Sequence, residues 1–283
     1  MFVNYRNNIY GICDVWDRGV EFVTRRTQRL LKDSMITSPP FFPEHLAPFQ
    51  GIKRIVKEDL GNQSGLLIPL GDGFEIKINA AHAPQRQNFS CAHEIGHTFF
   101  FEEGGISLIK RIKIEKGETV GNNWLENLCD ISAAELLMPS LIFSKYAAKY
   151  KFNIIALTPL SNIFNTSIDA TSIRLCDFIS KPCYVARLVL DRSEELGDLK
   201  LRATWLTWSR RRMPSKSSRL LFKPKLLGQK IGMLKALRTD KPIYSREWMG
   251  IVNFRGYCRI WSQSFSSGSQ RFVISFIFPE CDN

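Results

Sequence analysis

From Asn88 to about Phe101 the chain reads as a helix that is apolar almost all round, yet it carries two histidines and a glutamate at its centre. Phe89, Ala92, Gly96, Phe99 and Phe100 recur at spacings of three and four, the repeat of an amphipathic or buried helix. Among them stands His93-Glu94-Ile95-Gly96-His97. A buried ionisable cluster is stable only when a partner or a metal satisfies it. The fold must therefore bring complementary donors against this face. Residues four apart on a helix share a side, about 6 Å apart along the axis, so the two imidazoles can converge on one ion with Glu94 beside them as a base. The ordinary alternative is a polar helix face with two unrelated histidines. With only four histidines in the chain, that spacing around a glutamate is a poor accident.

A catalytic zinc takes three protein ligands and leaves one position open. Glu126 supplies a third from a second helical run, about Asn123 to Met138, whose apolar side is Leu125, Leu128, Ile131, Ala134, Leu136 and Leu137. Asp130 lies one turn beyond Glu126. Its carboxylate can accept a hydrogen bond from the distal nitrogen of a metal-bound histidine and fix its tautomer. The expected set is thus His93, His97 and Glu126 on Zn2+, Asp130 behind them, and Glu94 as general base; Mn2+ or Fe2+ also suits carboxylate and imidazole donors. His82, Tyr146 and Tyr150 are candidates for steadying an oxyanion, with packing or surface roles as the plainer reading. Cys91 and Cys129 flank the site in sequence; Cys129, three residues from Glu126, could approach the metal or serve as an oxidisable neighbour, with core packing the plainer role.

Around these helices the pattern is α+β. A helix over 14–32 ends at Ser38-Pro39-Pro40, and extended pieces follow at Ile52–Lys57 and Gly65–Leu70. Gly71-Asp72-Gly73 then turns into Phe74–Asn79, where Phe74, Ile76 and Ile78 alternate with polar residues, a hairpin signal. These pieces predict a small antiparallel sheet, with Phe74, Ile76 and Ile78 on a possible edge strand that receives an extended peptide. Pro139 ends the Glu126 helix. Three helices over 140–150, 156–165 and 168–179 follow. Asn165 suits a left-handed turn and Ser167 an N-cap, so 160–175 resembles a helix-turn-helix, although Arg174 is the only cation of its second helix. Strands at Tyr184–Leu190 and Leu201–Trp208, and a hairpin of Tyr257–Gln263 with Arg271–Phe278, fill the remainder. The expected division is 1–139 peptidase-like, 140–180 helical and 181–283 strand-rich.

Composition narrows the setting. No charged and then apolar leader opens the sequence, and no run reaches the roughly 18 apolar residues of a membrane span, so a soluble, cytoplasmic protein without membrane contact is expected. Seven widely spaced cysteines with no CxxC pair do not make a disulfide framework. The net charge is +12, and residues 200–241 hold thirteen Lys or Arg against the single acid Asp240. That stretch is either a solvated basic face or a surface for phosphates or an acidic partner; DNA is a secondary expectation.

The stretches Arg86–His97 and Glu126–Pro139 resemble the two signature blocks of the ImmA/IrrE family of metallopeptidases, Arg-x-x-Phe-x-x-Ala-His-Glu-x-Gly-His and Glu-x-x-Ala/Cys-Asn/Asp-x-x-Ala-x-x-Leu-Leu-Met-Pro. Ser132 departs from the common Phe. The resemblance implies a zincin-like domain of gluzincin type and a protein substrate that is a helix-turn-helix repressor or antitoxin of a stress or mobile-element response. It also implies a C-terminal sensor domain of GAF type over 183–283. Two other readings stand beside it: a non-catalytic regulator with a structural zinc that binds a repressor or DNA through 200–241, and a toxin–antitoxin component acting by binding.

Overall fold

The computed structural model describes residues 7–102, 105–106, 108, 118–181, 183–192, 199–208, 226–227, 241–245, 257–268 and 270–280. They divide into two compact units. The first is Met1–Phe143 with Ile163–Thr166, and the second is Ser144–Asn162 with Ser167–Asn283. The basic run expected at 200–241 lies mostly outside the described residues.

In the first unit, α1 (Asn7–Asp33) turns a buried stripe of Gly19, Val23, Thr27 and Leu30 inward, the three-and-four spacing that lets a helix cover a core. Strands β1 (Ile52–Glu58), β2 (Gly65–Leu70) and β3 (Gly73–Asn79) form a sheet in the order β1-β3-β2. Helix α2 (Pro43–Leu46) precedes them, α3 (Pro84–Thr98) follows, and α4 (Glu118–Leu137) crosses α3. Proline at the first position starts α3, where its fixed φ suits a helix and its missing N–H costs nothing. The helix therefore begins four residues earlier than the apolar repeat suggests.

Two expectations about the sheet are corrected. It is mixed: β2 and β3 are antiparallel, but β1 runs parallel to β3. Phe74, Ile76 and Ile78 are not on an edge. β3 is hydrogen-bonded on both sides, and Ile76 and Ile78 are buried. The hairpin does leave β3 one free side, but β1 returns to occupy it. The Arg54–Glu75 ion pair joins partners that face each other across that junction, a cross-strand contact that helps set register. The free edges belong to β1 and β2.

Helix α4 packs on α1 through an edge-on contact of Trp16 and Trp124, ring centroids 4.9 Å apart, and through Leu128, which lies against Gly19. Past Pro139 the chain re-enters a helix, α5 (Ser140–Ala148). Buried Glu135 closes that corner by accepting from the Ser140 backbone N–H at 2.8 Å and the Ser140 hydroxyl at 2.7 Å. Carboxylate acceptors at a helix start satisfy otherwise orphaned donors. Glu135→Ala is expected to cost about 3 kcal/mol, since hydrogen bonds to a charged group are worth roughly 1.5–3 kcal/mol each and a donor would be stranded. Urea denaturation checks it; a loss within the scatter of surface substitutions would mean that water replaces the carboxylate.

Helices α6 (Leu157–Phe164) and α7 (Ile168–Cys176) follow the predicted turn. Asn165 has φ of 51°, and Ser167 caps α7 by accepting from the Ala170 N–H at 3.1 Å. Arg174 is buried, against Asp177 and the Phe178 ring, so it does not present a charge to solvent. The second unit is built on a six-stranded sheet. Its strands β4 (Tyr184–Arg192), β5 (Leu199–Trp208), β6 (Leu226–Leu227), β7 (Ile243–Ser245), β8 (Tyr257–Ser267) and β9 (Gln270–Glu280) take the order β6-β5-β4-β9-β8-β7. The hairpin of β8 and β9 turns at Gly268, whose φ of +58° lies where a side chain is strained. Among the described residues, no helix is long and apolar enough to cross a membrane.

Candidate metal centre

Between Asn88 and Phe100, α3 and its first trailing residues are buried except at Phe89, His93 and His97. These three, each four residues from the next, make the one half-open stripe of a helix otherwise enclosed. α4 crosses that stripe closely because Gly96 has no side chain. A Cβ built there would meet Ser132 Oγ at 2.1 Å and the Cys129 backbone at 3.3–3.4 Å.

The crossing gathers the polar groups named from the sequence. His93 Nε2 and His97 Nε2 are 3.2 Å apart. Glu126 places one carboxylate oxygen 3.1 Å from His93 Nε2 and the other 3.7 Å from His97 Nε2. Two ligand atoms on one tetrahedral zinc, each about 2.0–2.1 Å from the ion, stand about 3.3 Å apart; the histidine nitrogens have that spacing, and the Glu126 carboxylate lies beside both. Asp130 Oδ1 lies 3.1 Å from His93 Nδ1. With Asp130 ionised the Nδ1 proton is held there and Nε2 is left as a lone-pair donor. Electron-rich atoms that converge in this way fit a cation.

The electrostatics agree. Burial works to lower the pKa of His93, but the hydrogen bond and charge of Asp130 outweigh it and the net shift is upward. Burial and the neighbouring His93 lower that of His97. Glu94 is buried beneath the pair, and burial raises its carboxyl to about 7, opposed by His93 and assisted by Glu126. Its carboxylate turns toward β2: a Cβ added to Gly65 would come within 2.9 Å of Glu94 Oε1.

The sequence reading placed Gly96 only in the helical repeat and Gly65 only at a strand start, and gave neither a part in the site. A glycine inside a strand often marks the close approach of another group, and that was the available signal for Gly65. Cys129 is nearer than core packing requires: its Sγ, one ring nitrogen of His93 and one of His97 lie within 4.8 Å of one another. The Glu126 carboxylate, with one oxygen 3.1 Å from His93 Nε2 and the other 3.7 Å from His97 Nε2, is a second candidate for the third donor. Cys91, Cys129, Cys176 and Cys183 are free thiols. Among the oxyanion candidates, His82 lies in the first unit with Nδ1 buried and unpaired among the described residues. Tyr146 and Tyr150 belong to the second unit.

A helix bearing His-Glu-x-x-His, crossed by a second helix that brings Glu and Asp to it beside a small sheet, defines the class of zincin-like metallopeptidase domains. Residues 53–175 match the family model of the IrrE N-terminal-like domain, peptidase M78. The radiation response metalloprotease IrrE of Deinococcus deserti is 27% identical over 139 residues, covering 49% of this chain and 48% of that protein. Its namesake in Deinococcus radiodurans is 36% identical over 76 residues, covering 26% and 22%. The chain thus spans less than half the length of these curated relatives. A solved structure of a Mycobacterium tuberculosis transcriptional regulator shares the fold, with a TM-score of 0.59 at 12% identity, over 94% of this chain and 81% of that one.

Proposed function

We propose that the protein is a cytoplasmic zinc-dependent endopeptidase that cuts a helix-turn-helix repressor or antitoxin and so relieves repression. The observation that carries this reading is the convergence of His93, His97 and Glu126 at 3.1–3.7 Å with Glu94 buried between them and strand β2. His93, His97 and Glu126 would hold the metal. When bound, zinc supplies a Lewis acid that polarises a peptide carbonyl and makes water acidic near neutral pH.

The remaining work falls to side chains of this chain. Asp130 holds the Nδ1 proton of His93 and keeps Nε2 aimed inward. Glu94 takes a proton from the attacking water and passes it to the leaving amine, a shuttle that works best when its pKa is near the working pH. Strand β2 has one free edge, and its Gly65 lies against Glu94. An extended peptide added to that edge would be aligned along the base. The repressor as substrate rests on the family resemblance and on the stress-response naming of the relatives.

The test is incubation of the zinc-loaded protein with helix-turn-helix repressors of its own genome, any encoded beside it first, with products read by mass spectrometry. Discrete fragments from wild type, and none from a zinc-containing Glu94→Gln, are expected. An intact repressor in the presence of one zinc per chain would sink the substrate assignment. Asp130→Asn is expected to weaken zinc binding roughly 10–100-fold, as removal of a partner behind a liganding histidine does elsewhere. Chelator competition measures it, and an unchanged affinity would mean that Asp130 does not orient His93.

A further inference from the structure

The His pair has a neighbour that the peptidase reading leaves idle. Cys129 follows Glu126 by three residues and precedes Asp130, so it shares the α4 face that meets α3, and it is fully buried. Its Sγ lies within 4.8 Å of one ring nitrogen of His93 and one of His97. A sulfur and a nitrogen on one tetrahedral zinc stand about 3.6 Å apart, so the thiol has about 1 Å at most to close. Its backbone is pinned beneath the histidine helix, because Gly96 brings α3 within van der Waals reach of the Cys129 Cα. Glu126 differs in character: its side chain is 59% exposed. α4 therefore offers the His pair two donors, one hard and solvent-facing, the other soft and enclosed.

We infer that Cys129 is a fourth protein ligand of the metal in the resting protein, so that the centre is closed until Cys129 withdraws. This rests on the metal-centre reading proposed above. Formation of the sulfur–metal bond releases the thiol proton to solvent and involves no oxidation. Four protein ligands are the arrangement of a structural zinc, whereas catalysis needs one position open. The resting centre then has no position for water, and hydrolysis begins only as a bound substrate displaces Cys129. A thiolate donor also favours zinc over manganese, which narrows the choice that imidazole and carboxylate leave open. Cys91 provides the contrast: it is also buried, one turn before Ile95 on α3, but does not share the cluster of His93, His97 and Cys129.

The experiment uses the whole chain, stripped of metal and reloaded with Co2+. Wild type and Cys91→Ala are expected to show the visible bands of bound cobalt together with an intense near-ultraviolet thiolate-to-cobalt charge-transfer band. Cys129→Ala is expected to keep the visible bands, lose the charge-transfer band and bind zinc at least tenfold more weakly in chelator competition. Visible bands at one cobalt per chain with no charge-transfer band in wild type would overturn the inference and leave the metal centre standing. Folded wild type that takes up neither cobalt nor zinc would overturn both. If Cys129→Ala does not fold, X-ray absorption on the zinc-loaded wild type decides: sulfur in the coordination shell supports the ligand, and nitrogen and oxygen alone overturn it.

Discussion

Glu94→Gln is expected to lower peptide hydrolysis by roughly 10²–10⁴-fold, the usual contribution of a positioned general base, while zinc stays bound at one ion per chain. Glutamine keeps the shape of the side chain against Gly65 but cannot accept the water proton. The same substitution is expected to stabilise the metal-free protein. Burial raises the Glu94 carboxyl from its ordinary 4.5 to about 7. The folded state thus binds more protons than the unfolded chain between those two values, and stability falls as pH rises through that window. Above it, an ionised carboxylate is trapped in an enclosed site at a cost of about 3 kcal/mol, from a shift of this size at 1.36 kcal/mol per unit. Glutamine carries no such charge. The gain in Tm on Glu94→Gln should therefore be absent near pH 4, grow between pH 4.5 and 7, and level off above. It should shrink when zinc is restored, because the cation compensates the charge. A variant no more stable than wild type at pH 8 in the presence of chelator would show that Glu94 is solvated in the absence of metal.

What the sequence made legible is what a helix encodes locally. The four-residue spacings of His93 to His97 and of Glu126 to Asp130 hold their meaning wherever the helices go. The structure brings all four side chains to one crossing, with Glu94 beside them. The turn at Asn165 and the cap at Ser167 were readable for the same reason: a left-handed residue and an N-cap act within a few positions. Non-local pairing was not readable. A strand's own alternation says which face is buried, not which strands lie beside it, so the parallel return of β1 to β3 was invisible in Phe74–Asn79. Close approach was equally hidden. Gly65 matters because Glu94 stands against it, and Gly96 because Ser132 does. These partners are far away in sequence, and no periodicity links them. Cys129 looked like core because it is core, as the burial shows. Its three-residue spacing from Glu126 allowed an approach to the metal, and the crossing of the two helices brings its Sγ within 4.8 Å of the histidines.

That crossing makes Gly96→Ala the sharpest structural test. In an isolated helix the change would be favourable by about 1 kcal/mol, since glycine is the weaker helix former. Here the new methyl would stand 2.1 Å from Ser132 Oγ and 3.3–3.4 Å from the Cys129 backbone. Ser132 is fully buried, and its hydroxyl donates to the Cys129 carbonyl at 2.8 Å, so it yields only by breaking that bond. Overpacking of a tight core costs about 1–3 kcal/mol, and it outweighs the helix preference. The cheaper escape is for α4 to move away from α3, which would carry Glu126 and Asp130 off the His pair. Gly96→Ala is therefore expected to lower Tm and to weaken zinc binding at least tenfold, the second effect exceeding what the stability loss alone would produce. Ser132→Ala removes the hydroxyl at the point of collision and leaves only the backbone contacts, which need to give by a few tenths of an ångström. Combined with Gly96→Ala it should restore most of the zinc affinity, so that the two substitutions couple strongly, as residues in direct contact do. Purely additive effects of the pair, or a Gly96→Ala protein that binds zinc like wild type, would show that the closeness of the two helices does not set the geometry of the centre.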